Sequence, residues 1–558
     1  MLALLPNGDT EALRLDETVD LRGRGVERVI IFRTDRLFRL EVDRREKEWG
    51  TDRISGLAIK FLAGVDPAKL DVYQEVRGED PLIRDDAYAD LSGKGVERFY
   101  TIISDLLNMQ RGVEAAAYVV FGRSAIRRDP WSGNARIRLV SHRVIPISAD
   151  EQISASAVHV TWSTRGFVRE LARATGEHLV LGIVHSHPSG RAVFSPQDDR
   201  NEAELIRAAA NRNGTGAELV SLLFGGDGTM ASRVWNGSGE DGPISRITVT
   251  GAQWRVYGGL EKSGPDVGHI FDRQARFFGA SFNDIMREMR IGIVGGGGTG
   301  SPVAMLLMRL GARHLALIDP DVIEDTNLNR VHGSRRTDAD AAMRKVDMLA
   351  RETDLAGLGT QVVTVPTWVG WDSARDVLKA CDVIFGCTDD HDGRMLLNRL
   401  AYFYGIPLID VGLRMRPATP PLPFNLVARV STILPGHACL LCRGLVDPRR
   451  AAAEDLARSN PAELARRKAE AYVEDAGDPA PAVVTFTTEA AAMAVNELIQ
   501  GLTNYRLPAG MASGRFRQFE RAQDRTVAPS PRRGCKICDA RGYWGRADVD
   551  PFLYRIGS

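Results

Sequence analysis

The chain has 558 residues, too many for one hydrophobic core and enough for about three or four domains. Lys+Arg and Asp+Glu both total 72, so the formal net charge is zero and no basic excess marks a nucleic-acid or polyanion binder. No apolar run is long and uncharged enough to cross a bilayer, and the opening MLALLPNGDTEALRLDE lacks the basic start of a signal peptide, so a soluble cytoplasmic protein is expected.

The first hundred residues hold a repeat. RLDETVDLRGRGVER (14–28) returns as RDDAYADLSGKGVER (84–98), and the pairs Asp16/Asp86, Asp20/Asp90, Gly23/Gly93, Gly25/Gly95 and Glu27/Glu97 are each 70 residues apart. A fixed period marks duplicated units: a partial one over 1–28 and a complete one over 29–100. The complete unit opens with alternating apolar and polar residues, VIIFRTDRLFRLEV, interrupted at Thr34-Asp35, which predicts a hairpin. A helix is predicted over Asp52 to Leu62, with Ile54, Leu57, Ile59 and Phe61 as core candidates and Gly64 as its stop. Hairpin, helix and further strands in this length resemble the ubiquitin-like β-grasp domains that occur as tandem repeats in some bacterial conjugation systems. The unit has no Gly-Gly at its end, so the resemblance does not imply that it is itself conjugated.

The next segment carries a metal-ligand pattern. LVLGIVHSHPSGRAVFSPQDD presents His185 and His187 at i and i+2 on an apolar strand, hence on one face, and Asp198 follows Ser195 by three. Two imidazoles and one carboxylate make a zinc site that leaves a position for water. Glu114, opening the apolar run AAAYVVFG, is the candidate base. The pattern resembles the JAMM (Mov34/MPN/PAD-1) zinc isopeptidases, over a domain placed at 101–240. The resemblance implies that His185, His187 and Asp198 bind zinc, that Glu114 is the acid/base and that Ser195 steadies the tetrahedral intermediate. It also implies substrates cleaved after a ubiquitin-like C-terminus. Residues 241–268, rich in Gly, Ser and Asp around one candidate strand, read as a linker.

From Arg290 the chain reads RIGIVGGGGTGSPVAMLLMRLGARHLALIDPDVIED: a strand, a glycine cluster, a helix and a second strand ending in Asp319. Glycines here let the backbone approach a phosphate at a helix N-terminus, and an acidic residue after the second strand suits a ribose hydroxyl. On the glycines alone, a nicotinamide or flavin site fits equally. The charges that follow do not suit hydride transfer: DPDVIEDTNLNRV, Arg344-Lys345-Val346 and CDVIFGCTDDHDGRMLLNRL provide cations for a triphosphate and a carboxylate for magnesium. Together with Phe271-Asp272-Arg273-Gln274, they resemble the ThiF/ubiquitin-activating superfamily, over a domain placed at 269–558. The resemblance implies that Gly295, Gly297, Gly298 and Gly300 cradle ATP and that Asp319 binds its ribose. It further implies that Asn327 lines the pocket, that Arg330, Lys345 and Arg273 hold phosphates, with Arg273 acting on a second protomer's nucleotide, and that Asp389 binds Mg2+.

Cys439/Cys442 and Cys535/Cys538 form two Cys-x-x-Cys pairs in one domain, a pattern for one structural zinc that ties the tail back to the domain. Between them, Asp447 to Ala471 reads as helical, and PAVVTFTTEAAAMAVNELIQGL as a strand, a Thr-rich turn and an apolar helix. Conjugating relatives carry a thioester cysteine on that crossover; here it has Thr485, Thr487 and Thr488, while Cys381 and Cys387 flank a buried-looking strand.

The expectation is therefore an α/β multidomain protein: a β-grasp module, a JAMM metalloprotease and a Rossmann-like adenylation domain with a zinc-bound tail. It would use ATP, Mg2+ and two zinc ions, catalytic and structural. Its expected partners are a ubiquitin-like protein, a ubiquitin-conjugating-like enzyme and a second copy through the adenylation domain, with no nucleic acid and no membrane. The rivals are activation and release of a sulfur carrier, and a scaffold that has kept the folds without the chemistry.

Overall fold

The computed structural model describes residues 114–147, 151–156, 160–188, 190–251, 254–258, 268–416, 425–469, 481–506, 511–539 and 541–549, with residues 53–63 and individual strands earlier in the chain. Two compact units share it: Met1–Val119 with Val144–Ile244, and Val120–Arg143 with Ser245–Ser558.

In the first unit, a five-stranded sheet runs Arg45–Trp49, Phe38–Val42, Glu97–Thr101, Val72–Glu75, Leu82–Ile83. Glu97–Thr101 is parallel to Phe38–Val42 and antiparallel to Val72–Glu75. Phe38–Val42 and Glu97–Thr101 thus lie side by side, flanked by Arg45–Trp49 on one side and by the antiparallel pair Val72–Glu75 and Leu82–Ile83 on the other, which is the β-grasp order. The helix Gly56–Ala63, whose Ala58 N–H donates to Ser55 Oγ (3.2 Å), closes a small core of Leu40, Val42, Trp49, Ile54, Ile59 and Leu62.

Two expectations need correction. The predicted hairpin around Thr34-Asp35 does not pair as expected: Phe38–Val42 has Arg45–Trp49 on one side and Glu97–Thr101 on the other, and Arg28–Ile30 pairs instead with Leu2–Leu4. The helix starts at Gly56 rather than Asp52, because Arg53–Ser55 is a strand paired with Tyr88–Asp90. Among the four core candidates, Ile54 and Ile59 are buried while Leu57 is exposed and Phe61 only packs at the margin. Thr34-Asp35, Gly64 and the stretch 14–27 lie outside the described residues.

The pairing itself shows the duplication. Leu2 faces Ala12 and Ile30, whereas Tyr73 faces Leu82 and Tyr100. Residues 12 and 82, and 30 and 100, are each 70 apart, while Leu2 and Tyr73 are 71 apart, so the pairing recurs within one residue of the sequence period.

A six-stranded sheet follows, in the order Arg136–Pro146, Ala116–Ile126, Val180–His187, Glu218–Gly225, Met230–Asn236, Asp241–Pro243. Val180–His187 and Glu218–Gly225 are parallel, joined through the helix Pro196–Asn213.

The second unit is built on an eight-stranded sheet: Gln361–Val365, His314–Ile318, Arg290–Val294, Val383–Gly386, Leu408–Arg416, Asn425–Ile433, Gly514–Gln518, Gln523–Val527. The first five strands are mutually parallel and the rest antiparallel. Period-2 alternation sends Ile291, Ile293, Leu315, Leu317, Val383 and Phe385 into one core, and Val294, Ala316, Ile318 and Ile384 into another on the opposite face. The chain goes out from Arg290–Val294 to Gln361–Val365, then returns to Val383–Gly386 on the other side. This reversal opens a crevice beyond the carboxyl ends of Arg290–Val294 and Val383–Gly386, where open α/β sheets bind ligands.

Candidate active sites

The first site lies at the end of the Val180–His187 strand. Strand alternation puts His185 and His187 on one face, their ring centroids 5.1 Å apart. Asp198 is fixed by local sequence. Ser195 is the N-cap of Pro196–Asn213 with proline in its first turn; its Oγ accepts from Asp198 N (3.2 Å), and Asp198 Oδ2 accepts from Ser195 N (2.7 Å). The Ser-x-x-Asp spacing is thus a capping box that aims the other carboxylate oxygen at His185, with Oδ1 3.2 Å from Nε2. Asp198 Oδ2 stands 3.5 Å from His187 Nε2. One ligand atom from each of the three side chains lies within 4.8 Å of the others. Among the described residues, buried His185 Nε2 lacks an aligned hydrogen-bond partner, a donor set that suits a metal ion.

Glu114 is held against this cluster. Its N–H donates to Ser156 O (2.7 Å), and the next residue, Ala115, donates to Ser186 Oγ (3.1 Å) and accepts from Ser186 N (3.0 Å). The carboxylate is buried, with Oε1 3.8 Å from His187 Nε2. Burial pushes Glu114 up to about 7, opposed by His185 and reinforced by Asp198. Burial would also raise Asp198, but His185 and the Ser195 cap outweigh it and hold that carboxyl well below the ordinary range. Burial, then His185, lowers His187.

Sequence reading did not assign a role to Ser186, the fully buried residue between the histidines, which tethers the Glu114 segment. It also missed Glu202, 1 % exposed, which accepts from Arg233 Nε (2.7 Å) and Trp235 Nε1 (2.7 Å) and from Ser221 Oγ. Arg233 stacks 3.9 Å over Phe194, bracing the loop that leads to Ser195. For Ser186 the sequence signal was a serine on an otherwise apolar strand; Glu202, on the polar helix Pro196–Asn213, had none.

The second site is the crevice of the parallel sheet. Strand Arg290–Val294 runs into the glycine loop, and the helix starts at Gly300. Gly295 has φ +96°, and a Cβ on Gly300 would lie 1.7 Å from Gly295 O, so both positions require glycine. Asp319, 5 % exposed at the end of His314–Ile318, accepts from Gly296 N (2.6 Å) and Asp321 N (2.8 Å). Burial pushes its carboxyl up, and Lys345 pulls it back. Lys345 heads the helix Lys345–Ala356, with Nζ 2.8 Å from Asp321 Oδ2. The Arg330 stem runs alongside Gly298, and its guanidinium bonds Thr326 O. Asn327 is buried, its Oδ1 accepting from Glu324 N (3.1 Å), so it shapes the turn that carries Arg330. Cys387 lies against Gly295, which puts the exposed Asp389, two residues on, beside the loop.

Gly295, Gly297, Gly298, Gly300, Asp319, Arg330, Lys345 and Asp389 therefore gather around one crevice. Arg273 does not join them. It lies on the exposed helix Asp272–Phe278 and lines a recess with Arg309, the last residue of Gly300–Arg309, about 14 Å along that helix from the glycine loop. Sequence reading also missed Asp410, fully buried under the crevice floor and ion-paired with Arg429 (2.6 Å) and Arg394 (3.3 Å).

The four paired cysteines converge. Cys439 and Cys535 sulfurs are 3.8 Å apart, and Cys442 and Cys538 sulfurs 3.5 Å, too far for disulfides. A tetrahedron of ~2.3 Å zinc–sulfur bonds has edges of about 3.8 Å, so the set fits zinc. Cys381 donates its S–H to Val377 O, and burial pushes the thiols of Cys381 and Cys387 upward.

The Thr-rich turn is a correction. Val484–Thr503 is one continuous helix, and Thr485, Thr487 and Thr488 lie in its first turns, with Thr487 and Thr488 hydroxyls bonded to Val484 O (3.0 and 2.7 Å). Packing of Ala490, Ala491, Ala494 and Leu498 into the core overrides the weak helix propensity of the threonines. The predicted helix over Asp447 to Ala471 is two, Pro448–Ser459 and Pro461–Ala469; residues 470–480 lie outside the described residues. Among the described residues, no helix is long and apolar enough to cross a membrane.

Family models match three successive stretches: Multiubiquitin over 38–103, prokaryotic homologs of the JAB domain over 97–236, and the ThiF family over 271–537. The chain is a fusion of these three domains in this order. Similar curated proteins include the SAMP-activating enzyme E1 of Haloferax volcanii, 28% identical over 155 residues, covering 27% of this chain and 52% of that protein. Another is adenylyltransferase and sulfurtransferase MOCS3 of Mus musculus, 33% identical over 120 residues, covering 21% of this chain and 25% of that protein. The chain thus spans about half or less of these relatives' length. Among solved structures, Escherichia coli MccB with ATP superposes at TM-score 0.36 and 17% identity, covering 48% of this chain and 74% of MccB. PaaA superposes at 0.35 and 18%, covering 48% and 85%.

Proposed function

We propose that the chain uses ATP to adenylate the C-terminal glycine of a ubiquitin-like protein, and that its JAB domain is a zinc isopeptidase that processes or removes the same modifier. The observation that carries the first part is the convergence of the glycine loop, Asp319, Arg330 and Lys345 at the sheet's reversal point. Backbone N–H groups and the N-terminus of Gly300–Arg309 receive phosphates, and Asp319 receives the ribose. Lys345 and Arg330 neutralise the charge that builds up as the modifier's carboxylate attacks the α-phosphate and pyrophosphate departs. Asp389 would hold Mg2+ on the leaving phosphates. Arg273 lines a recess with Arg309 at the far end of Gly300–Arg309 from its own loop, which supports a homodimer in which it serves the partner's nucleotide. The relative named as a SAMP-activating enzyme E1 supports a ubiquitin-like partner.

In the JAB domain, His185, His187 and Asp198 would hold zinc, which when bound supplies Lewis acidity toward a carbonyl and eases deprotonation of water. Glu114, beside His187, takes that proton and passes it to the leaving amine. Ser195 keeps its O–H free to donate to the developing oxyanion, since in the cap its oxygen only accepts.

The test is modifier-dependent ATP–pyrophosphate exchange. Lys345→Ala and Asp389→Ala should each abolish it with melting curves unchanged, and full exchange in both would remove the adenylation assignment. A second reading rests on relatives named adenylyltransferase and sulfurtransferase: activation of a sulfur carrier. A lysine adduct on a target protein identifies conjugation, and a thiocarboxylate on the modifier identifies sulfur transfer.

A further inference from the structure

Beside the glycine loop lies a hydroxyl–imidazole pair that adenylation alone does not use. His332 follows Arg330 by two residues, and its backbone N–H donates to Oγ of Ser301, the fully buried residue directly after Gly300 (3.0 Å). The ring turns toward the start of the Val484–Thr503 helix, where Nε2 lies 2.9 Å from Thr488 Oγ1. Thr488 and His332 are both half-buried, so neither is sealed in the core. The Thr488 oxygen also lies 2.7 Å from Val484 O. Rotation about its Cβ–Oγ bond therefore moves the hydroxyl proton from the helix carbonyl to the imidazole. A nucleophile within hydrogen-bond reach of a base is the arrangement that activates a hydroxyl, and here Ser301 anchors the backbone that carries the base.

The thiols are committed elsewhere. Four sit in the Cys439/Cys442/Cys535/Cys538 cluster, and Cys381 and Cys387 are held as thiols by burial. Burial also keeps His332 below its ordinary range, hence neutral and able to accept a proton near neutral pH.

We propose that Thr488 is an acyl acceptor: after adenylation, the modifier's C-terminal carbonyl passes to Thr488 Oγ1 as an oxyester, with His332 as the base. The new bond joins Oγ1 to the carbonyl carbon, and the bond from that carbon to the AMP oxygen breaks. AMP leaves with the electron pair, and the hydroxyl proton goes to His332 Nε2. An incoming amine then bonds the acyl carbon and the bond to Oγ1 breaks; His332 returns its proton to the departing Thr488 oxygen, takes up the proton the amine loses and releases it to solvent. This step rests on the adenylation reading and extends it.

The experiment incubates the full chain with ATP, Mg2+ and a panel of small β-grasp proteins ending in Gly-Gly, and follows pyrophosphate exchange and intact mass in parallel. The expected product is a one-to-one adduct that survives dithiothreitol, is released by hydroxylamine at alkaline pH and maps to Thr488. Thr488→Ser should retain the adduct and the near-isosteric Thr488→Val should lose it. His332→Ala should slow its formation by ~10²–10⁴-fold, the usual contribution of an acid/base group. Exchange without an ester on Thr488, or the same adduct in Thr488→Val, overturns this inference and leaves adenylation standing. No exchange with any panel member overturns adenylation and this step together.

Discussion

The glycines of the loop can be separated by what a methyl group would meet at each. At Gly300 an added Cβ would sit 1.7 Å from Gly295 O. A comfortable contact is roughly 3.5 Å, so the loop backbone would have to open by about 2 Å. Backbone yields less easily than a side chain, so the cost belongs at the upper end of the ~1–3 kcal/mol seen for overpacking, or above it. For a unit of this size, that lowers the melting temperature by ~2–4 °C per kcal/mol. Gly297 is the opposite case. A Cβ there meets nothing within 4 Å, and its φ lies outside the left-handed region. Gly297→Ala should leave the fold intact and even gain ~0.4–1 kcal/mol through a less flexible unfolded chain. The new methyl would instead occupy space needed by a phosphate. Losing one charged hydrogen bond costs ~1.5–3 kcal/mol, equivalent to about 10- to 100-fold weaker ATP binding. Calorimetric titration with ATP and melting curves on both variants give the result. Gly297→Ala should keep or slightly raise its melting temperature and lose ATP affinity, while Gly300→Ala should lose both. Wild-type ATP affinity in Gly297→Ala would show that the loop does not cradle phosphate.

Three more perturbations address other parts of the chain. Glu114→Gln should keep zinc and stop cleavage of a C-terminal fusion of the modifier, a loss of ~10²–10⁴-fold, while His187→Ala should lose zinc and cleavage together; wild-type cleavage by Glu114→Gln would place the base elsewhere. Cys535→Ser/Cys538→Ser should lose one equivalent of zinc by metal analysis and lower the melting temperature, because structural zinc contributes folding energy directly; unchanged metal content would sink the cluster's assignment. His314 supplies a pH dependence. Burial, with Arg290 and Arg313 beside it, pushes His314 down to about 4. Its folded pKa is below the unfolded value of ~6.5, so the stability it contributes is complete above ~6.5 and is lost as pH falls toward 4. The second unit's melting temperature should fall across that window, and His314→Asn should flatten the fall; an unaltered slope in the variant would assign it to other groups.

The residues that could be named from sequence belong to short local patterns. His185 and His187 share a strand face, Ser195 and Asp198 share a capping box, and the glycine loop joins one strand to one helix. Each pattern spans a few residues, so backbone periodicity alone places the side chains. Misreadings arose where a distant partner decides. The pairing of Phe38–Val42 was set by Glu97–Thr101, a strand more than fifty residues away. Thr-rich sequence became helix because its later turns fill the core against Gly300–Arg309.

The same distinction separates reactive groups from the groups that aim them. Glu114 faces His187 because Ala115 bonds Ser186, 71 positions later in the chain. The Pro196–Asn213 helix is braced by Glu202 reaching Arg233, 31 positions on, and His332 meets Thr488 across 156. No local period links such pairs, since their geometry exists only once strands and helices have packed. Ser186 and Glu202 are buried polar groups that would cost ~1–3 kcal/mol if left alone, so those partners must arrive together. A substitution at Ser186, Glu202 or Ser301 should therefore disturb the reactive side chain it supports more than any neighbour in sequence. For these three pairs, positioning is a property of the packed strands and helices rather than of the motifs they carry.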